Sequence, residues 1–272
     1  MDKKRLDVYL FESGIIDSRS RAKSFIEGER DVFVNNKKIV KPSFLVSSDD
    51  DIKVIQKNEV EFVSRAGYKL EKAIKYWNLD LTGLTCLDIG ASTGGFTQCC
   101  LLNNAKEVFS VDVGHDQLVE SLSNDKRVHQ LDNVNFRDIT TKIISDEINF
   151  YCCDVSFISL EHILKPLTNL NLAKNSFGVF LIKPQFELSQ KEITNGKVKA
   201  KEDHFKAIKK VINLATDNNF IVNDLTYSPI KGNKKGNIEY LLLLSRDEKL
   251  KAYRKLTNEV IHHEINEAWK EL

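Results

Sequence analysis

The chain has 272 residues, 42% hydrophobic and 29% charged, with 40 Lys and Arg against 39 Asp and Glu. That balance suits a soluble globular protein of one large or two unequal domains, and a net charge of +1 excludes a global basic field, so any nucleic-acid contact must come from local patches. No stretch approaches the roughly 20 apolar residues of a membrane span, and Met1-Asp2-Lys3-Lys4-Arg5 runs into a charged segment without the apolar core of a signal peptide.

Residues 1–60 read as a first compact unit. Leu6, Val8, Leu10 and Phe11 begin a short helix that ends near Gly14. Asp17-Ser18 can cap a second helix over 19–27, which Gly28 closes. Val32-Phe33-Val34, a turn at Asn35-Asn36 and a return strand over 37–40 make a hairpin, and 52–55 is a further strand. Residues 61–65 link this unit to a second one over 66–272. Its first helix spans 65–77, with Ala66, Leu70, Ala73, Ile74 and Trp77 on one face.

From Thr85 onward, strands and helices alternate. Strands are expected near 85–90, 107–113, 128–133, 149–156, 177–183, 220–227 and 238–245. Helices are expected over 94–103, 115–123, 159–169 and 202–218, with a charged terminal helix over 247–271. Repeated β-α-β order predicts an α/β, doubly wound, seven-stranded and mostly parallel sheet. The last strand should run antiparallel, because 229–237 is too short for a helical crossover.

Five cysteines occur as Cys86, Cys99-Cys100 and Cys152-Cys153, and none has zinc spacing. Reduced, buried thiols in a cytoplasmic protein are expected, with no metal.

Residues 87–97 are the most informative stretch: Leu-Asp-Ile-Gly-Ala-Ser-Thr-Gly-Gly-Phe-Thr. A strand, a glycine turn and a helix start follow one another, and glycine lets a ligand approach the backbone. The spacing is G-x-x-x-G-G rather than G-x-G-x-x-G, which favours S-adenosylmethionine over NAD. Asp112 ends the second strand, where an acid can accept hydrogen bonds from both ribose hydroxyls of an adenosyl cofactor; a helix N-cap is the plain alternative.

With these motifs the chain resembles the TlyA (haemolysin A) family of ribosomal-RNA 2′-O-methyltransferases, with an FtsJ-like methyltransferase domain. The resemblance rests on Arg5-Leu-Asp-Val-Tyr-Leu, Ser18-Arg-Ser-Arg-Ala-Lys23, Val63-Ser-Arg-Ala-Gly-Tyr-Lys69, residues 87–97, Val111-Asp-Val-Gly114, Asp154-Val-Ser-Phe-Ile-Ser159, Ile182-Lys-Pro-Gln-Phe-Glu187 and Gly236-Asn-Ile-Glu-Tyr240. It implies a Rossmann-like class I methyltransferase preceded by a small α+β RNA-binding domain like that of ribosomal protein S-four. It also implies a catalytic tetrad, Lys69, Asp154, Lys183 and Glu239.

The chemistry explains those types, because a ribose 2′-hydroxyl needs alignment and proton removal before it attacks a methyl group. Lys183 is the candidate base. To act it must be neutral, which burial and the neighbouring Lys69 favour and Asp154 opposes. Asp154 would orient the lysines and the hydroxyl, and Glu239 would position Lys69 or the ribose.

Cofactor contacts carry over to Asp88, Gly90, Ser92, Thr93, Gly94, Gly95, Phe96 and Asp112, with Asn135 (or Asp138) on the adenine. The RNA-binding residues implied are Arg5, Arg19, Arg21, Lys23, Lys37, Lys38, Lys41 and Arg65. Between Ser18 and Lys41, seven Lys and Arg face three acids, which suits phosphate contact. The acidic run Glu27-Gly-Glu-Arg-Asp departs from the family's turn and weakens that edge. Lys191, Lys197, Lys199 and Lys201 form a basic run expected to be a mobile RNA-guiding loop, and Lys231, Lys234 and Lys235 could touch phosphate.

The implied partner is ribosomal RNA within ribosomal subunits, the cofactor S-adenosylmethionine, and the state a monomer or weak dimer. A membrane-active haemolysin and a non-catalytic RNA-binding module are the competing readings. The first lacks an apolar span or a basic amphipathic helix; the second leaves the four tetrad residues without a purpose.

Overall fold

The computed structural model describes residues 3–272 except 17, 30, 36, 48, 56–61, 233–235 and 247–249. Asp17, Arg30, Asn36, Lys234, Lys235 and Glu61, the first residue of the expected linker, therefore lie outside the described residues. The chain divides into two units, Met1–Glu61 and Phe62–Leu272.

The first unit runs β1 (Lys4–Arg5), α1 (Leu6–Glu12), α2 (Arg19–Ser24), a π-helical turn (Phe25–Glu29), β2 (Asp31–Val34), β3 (Lys37–Ile39), β4 (Leu45–Val46) and β5 (Ile52–Ile55). Ser18 caps α2, its hydroxyl accepting the Arg21 N–H. Gly28 does not close this helix. The chain continues through the π turn, a wider turn that admits one more residue, and both Phe25 and Ile26 enter the core. Antiparallel pairing orders one sheet β3-β2-β5, while β1 pairs with β4. Two-residue strands are too short to show a period, which is why β1 and β4 escape a sequence reading. Leu6, Leu10, Ala22, Ile26, Val32 and Val46 fill the core. Arg5, Arg19, Arg21, Lys23, Lys37, Lys38 and Lys41 are all exposed on this unit.

The second unit runs α3 (Ala66–Trp77), β6 (Thr85–Ile89), α4 (Gly95–Leu102), β7 (Glu107–Val111), α5 (Glu120–Ser123), β8 (Val128–Leu131), β9 (Ile148–Cys153), α6 (Glu161–Leu167), β10 (Leu172–Ile182), α7 (Pro184–Glu187), α8 (Lys201–Asp217), β11 (Ile221–Tyr227), β12 (Tyr240–Ser245) and α9 (Asn258–Glu271). Its seven-stranded sheet has the order β11-β12-β10-β9-β6-β7-β8. The expected architecture is found: β10, β9, β6, β7 and β8 are parallel, and β12 runs antiparallel between β10 and β11. Every residue of β6 is buried, as a parallel strand covered on both faces requires. All five cysteines are free and buried in this sheet and the helix beside it, and burial raises each of their thiols above its ordinary range except where a neighbouring thiol leads, as Cys100 does for Cys86 and Cys152 for Cys100.

Three elements differ from expectation. Only Glu120–Ser123 is helical in the segment expected as a helix over 115–123: Asp116 sits in the left-handed region at φ 50°, in a loop held by the Asp112 and Asp132 side chains through the Gly114 and Asp116 N–H groups. Strand β10 starts at Leu172, its early part joined to β9 across a register shift before Phe177. The terminal helix starts at Asn258, capped by Thr257. Before it, Arg254 is tied to buried Asp224 at 2.6 Å and to Glu264 at 2.9 Å, which anchors an irregular segment where a longer helix was expected. No helix among the described residues is long and apolar enough to cross a membrane.

Candidate active site

Sheet register gathers the site. Ile89 lies opposite Cys153, so Gly90 and Asp154 leave β6 and β9 together. Ile182 lies opposite Tyr240, so Lys183 leaves β10 beside Glu239, which enters β12. Because β12 is antiparallel, its start falls at the carboxyl end of the parallel strands, the end where such sheets bind ligands. Lys69 arrives from α3. The buried stripe of that helix, Leu70, Ala73, Ile74 and Trp77, packs it on the sheet and drives Lys69 inward with them.

The four residues form a continuous chain. Lys69 Nζ lies 2.8 Å from Glu239 Oε2 and 3.1 Å from Asp154 Oδ2. Lys183 Nζ lies 2.6 Å from Asp154 Oδ1 and donates to Ser156 Oγ at 2.8 Å. Only 7% of Lys69, 8% of Lys183 and 2% of Glu239 is exposed. Burial opposes every charge here, and the outcome differs by residue. Burial would raise Asp154, but the ammonium groups of Lys69 and Lys183 outweigh it and hold the carboxyl below the usual carboxylate range. Burial would lower Lys69, but Asp154 and Glu239 outweigh it and raise the ammonium. For Glu239 burial wins over Lys69 and Lys183, and its carboxyl is raised.

These groups sit on a cleft of 1010 Å³, lined also by Gly90, Ser92, Thr93 and Phe96. The glycine loop forms one wall. Gly90 at φ 83° and Gly94 at φ 96° adopt the left-handed region, and a Cβ on Gly90 would sit 3.2 Å from the Asp154 carbonyl oxygen. The Asp112 carboxylate takes the Ser92 N–H at 2.9 Å and the Gly114 N–H at 2.8 Å, so it braces the loop from the next strand. Exposed backbone, a cradle of glycine and a half-buried acid beside it fit an adenosyl ligand.

Other expected contacts fall elsewhere. Gly94 and Gly95 do not line the cleft: a Cβ on Gly94 would strike Leu122, and one on Gly95 would strike Ser64 and the Gly67 nitrogen, so both serve close packing. Asn135 caps a short 3-10 turn through the Arg137 N–H, and Asp138, the last residue of that turn, is exposed. Arg65 lines the cleft, and its guanidinium donates to the Lys231 carbonyl at 3.2 Å. The basic run over 191–201 is exposed but tied down: the Asn237 amide binds Val198 and Gly196, and Lys201 Nζ reaches Asn266.

Asp88 is wholly buried beneath the loop, with Oδ2 accepting the Thr97 hydroxyl at 2.7 Å. Burial pushes its carboxyl up to about 7. A group raised in this way stabilises the fold fully below its unfolded pKa, and that contribution is lost as pH rises to the folded value. Asp88→Asn removes the loss. Urea melts are therefore expected to show the variant gaining on the wild type between about pH 4 and about pH 7, by up to about 1.4 kcal/mol per pH unit. A difference that stays constant across that window would contradict the buried ionisation.

Among the cleft residues that carried no expected role are Ser156, Phe157 and Gln185. Phe157 is 81% exposed at φ 66°, with its ring 5.2 Å from that of Phe186. All three lie just past the ends of β9 and β10, so their place after predicted strands was the available signal.

Comparison with known proteins agrees with this fold. The FtsJ-like methyltransferase family model matches residues 62–246, and an S4 domain model matches residues 4–52. Hemolysin A of Brachyspira hyodysenteriae is 42% identical over 240 residues, covering 87% of this chain and 98% of that protein. The 16S/23S rRNA (cytidine-2'-O)-methyltransferase TlyA of Mycobacterium tuberculosis is 32% identical over 266 residues, covering 97% of this chain and 98% of that protein. A solved Streptococcus thermophilus structure described as a hemolysin superposes with a TM-score of 0.73 at 36% identity, covering 100% of this chain and 97% of that one.

Proposed function

Because the chain belongs to the FtsJ-like methyltransferase family, we propose that it methylates the 2′-hydroxyl of a cytidine in ribosomal RNA, with S-adenosylmethionine as donor. The observation that carries this reading is the buried chain Glu239–Lys69–Asp154–Lys183 on the cleft beside the glycine loop. A solvated ion-pair network would not be buried to this degree, and removing these charges from water is costly unless they serve one another.

When bound, S-adenosylmethionine supplies a methyl group on a positively charged sulfur. The backbone of Gly90, Ser92 and Thr93 with Phe96 would hold it, and Asp112 would take the ribose hydroxyls. Lys183 is the base: its Nζ reaches the cleft, and once its ammonium has given up a proton the neutral amine accepts the proton of the 2′-hydroxyl as the oxygen takes the methyl group. Asp154 orients that amine through Oδ1 and holds Lys69 through Oδ2. Glu239 fixes Lys69 from the far side, so the second lysine keeps its charge next to the reacting oxygen. Phe157 offers an exposed ring on which the nucleotide's base can stack. The exposed basic side chains of the first unit, Arg19, Arg21, Lys23, Lys37, Lys38 and Lys41, supply phosphate contacts that give affinity with little sequence reading.

The test is methyl transfer from labelled cofactor to separated ribosomal subunits, with the modified nucleotide mapped. A 2′-O-methylcytidine is the expected product. Methyl on a base atom, or no transfer to either subunit, would overturn the reading.

A further inference from the structure

We propose that Gln185 reads the base of the nucleotide being methylated and selects cytosine, an inference that rests on the reading above. Gln185 lies in α7, two residues after Lys183, and lines the same cleft. Its Oε1 is buried and has no hydrogen-bond partner among the described residues. Buried polar side-chain atoms are ordinarily paired, so this oxygen lacks its partner, and a turn of the side chain into the cleft it lines would offer it to one. The other amide of the cleft that lies close to the tetrad, Asn237, is already used at both ends, by the Val198 N–H at 3.1 Å and the Gly196 carbonyl at 2.8 Å.

Position supports the assignment. A 2′-oxygen in reach of Lys183 Nζ fixes the base close by, because the carbon that bears the base is bonded to the carbon that bears the oxygen. Two residues of chain span at most about 7 Å, so Gln185 starts within a nucleotide's reach of Lys183. The aromatic surface of Phe157 and Phe186 lies on the same cleft, and a base stacked there turns its edge toward a neighbouring side chain.

The chemistry selects the base. An amide offers an acceptor and a donor side by side. Cytosine presents an exocyclic N–H donor next to the N3 acceptor, so its edge pairs with the amide through two hydrogen bonds, the first of them to Oε1. Uracil presents the reverse order, an acceptor and then N3–H, so with the amide held in that same orientation its carbonyl oxygen would fall against Oε1.

The experiment uses the full chain and ribosomal subunits that carry either cytidine or uridine at the mapped position. The wild type is expected to prefer cytidine, and Gln185→Ala to lose about 10- to 100-fold in kcat/KM on the cytidine substrate. The variant's preference over uridine should collapse toward unity, with affinity for S-adenosylmethionine unchanged by calorimetry. Gln185→Glu keeps the shape and the acceptor but cannot donate to N3, so it should also lose activity on cytidine while unfolding in urea like the wild type. If the wild type is active and both variants keep its kcat/KM and its cytidine preference, Gln185 does not read the base. If the wild type transfers no methyl to any ribosomal RNA, the functional reading falls and this inference falls with it.

Discussion

Lys183→Met is expected to abolish most methyl transfer while leaving the protein folded and able to bind its cofactor. Lys183 Nζ is held between Asp154 Oδ1 at 2.6 Å and Ser156 Oγ at 2.8 Å, and faces the cleft. Methionine has similar length and no base, so the loss should approach the full contribution of a positioned general base, about 10²- to 10⁴-fold. Stability should change little by comparison, because Asp154 keeps Lys69 at 3.1 Å and is not left as an unpaired buried charge. Single-turnover transfer to ribosomal subunits measures the first part, and calorimetric titration with S-adenosylmethionine the second. A variant that transfers at the wild-type rate would remove Lys183 from the proton step. A variant that no longer binds cofactor would place Lys183 in the donor half of the site instead.

Lys69→Met should damage folding as well as activity. Lys69 is the cation between Asp154 and Glu239, and both carboxylates lose it at once. Asp154 still has Lys183, but Glu239, 2% exposed, keeps no ion pair among the described residues. Breaking a buried pair on one side costs about 3–5 kcal/mol. The cost should depend on pH. Burial already raises the Glu239 carboxyl, and loss of Lys69, the largest influence lowering it, raises it further. A carboxyl with a raised folded pKa contributes stability that is complete at low pH and lost as pH rises through that value. Urea unfolding should therefore show a wider gap between variant and wild type at pH 8 than at pH 5. The double variant Lys69→Met with Glu239→Gln should recover much of the stability and none of the activity. An equal gap at both pH values, or no recovery in the double variant, would show that Lys69 does not act through Glu239.

Much of the fold was legible because its signals are local. The apolar stripe of α3, the fully buried β6 and the short connection before β12 are all properties of residues near one another in the chain, and they predicted a helix, an interior parallel strand and an antiparallel pair. What failed was decided by side chains acting on backbone. Asp116 turns into the left-handed region at φ 50°, and the Asp112 and Asp132 side chains accept the Gly114 and Asp116 N–H groups that hold this loop. Arg254 spends its guanidinium on Asp224, the Leu225 carbonyl and Glu264, and holds 250–257 outside any helix. Such competition depends on partners distant in sequence, and a periodicity cannot show it.

By itself the sequence determined which chemistry this chain carries: a glycine turn between strand and helix, an acid after the next strand, and lysines and carboxylates in recognisable motifs. It could also name Lys69, Asp154, Lys183 and Glu239, but only through resemblance. Tertiary structure decided that they touch. Lys69 and Asp154 are 85 residues apart and meet because β9 lies beside β6, while Glu239 joins them because β12 is inserted antiparallel next to β10. It also decided which motif residues face the cleft: Asp88 sits beneath the glycine loop, and Gln185 lines the cavity, its buried oxygen without a partner among the described residues. The reason is physical. Local propensity sets each element and its buried face, whereas strand order and register set which residues at the strand ends become neighbours, and those depend on the whole sheet packing at once.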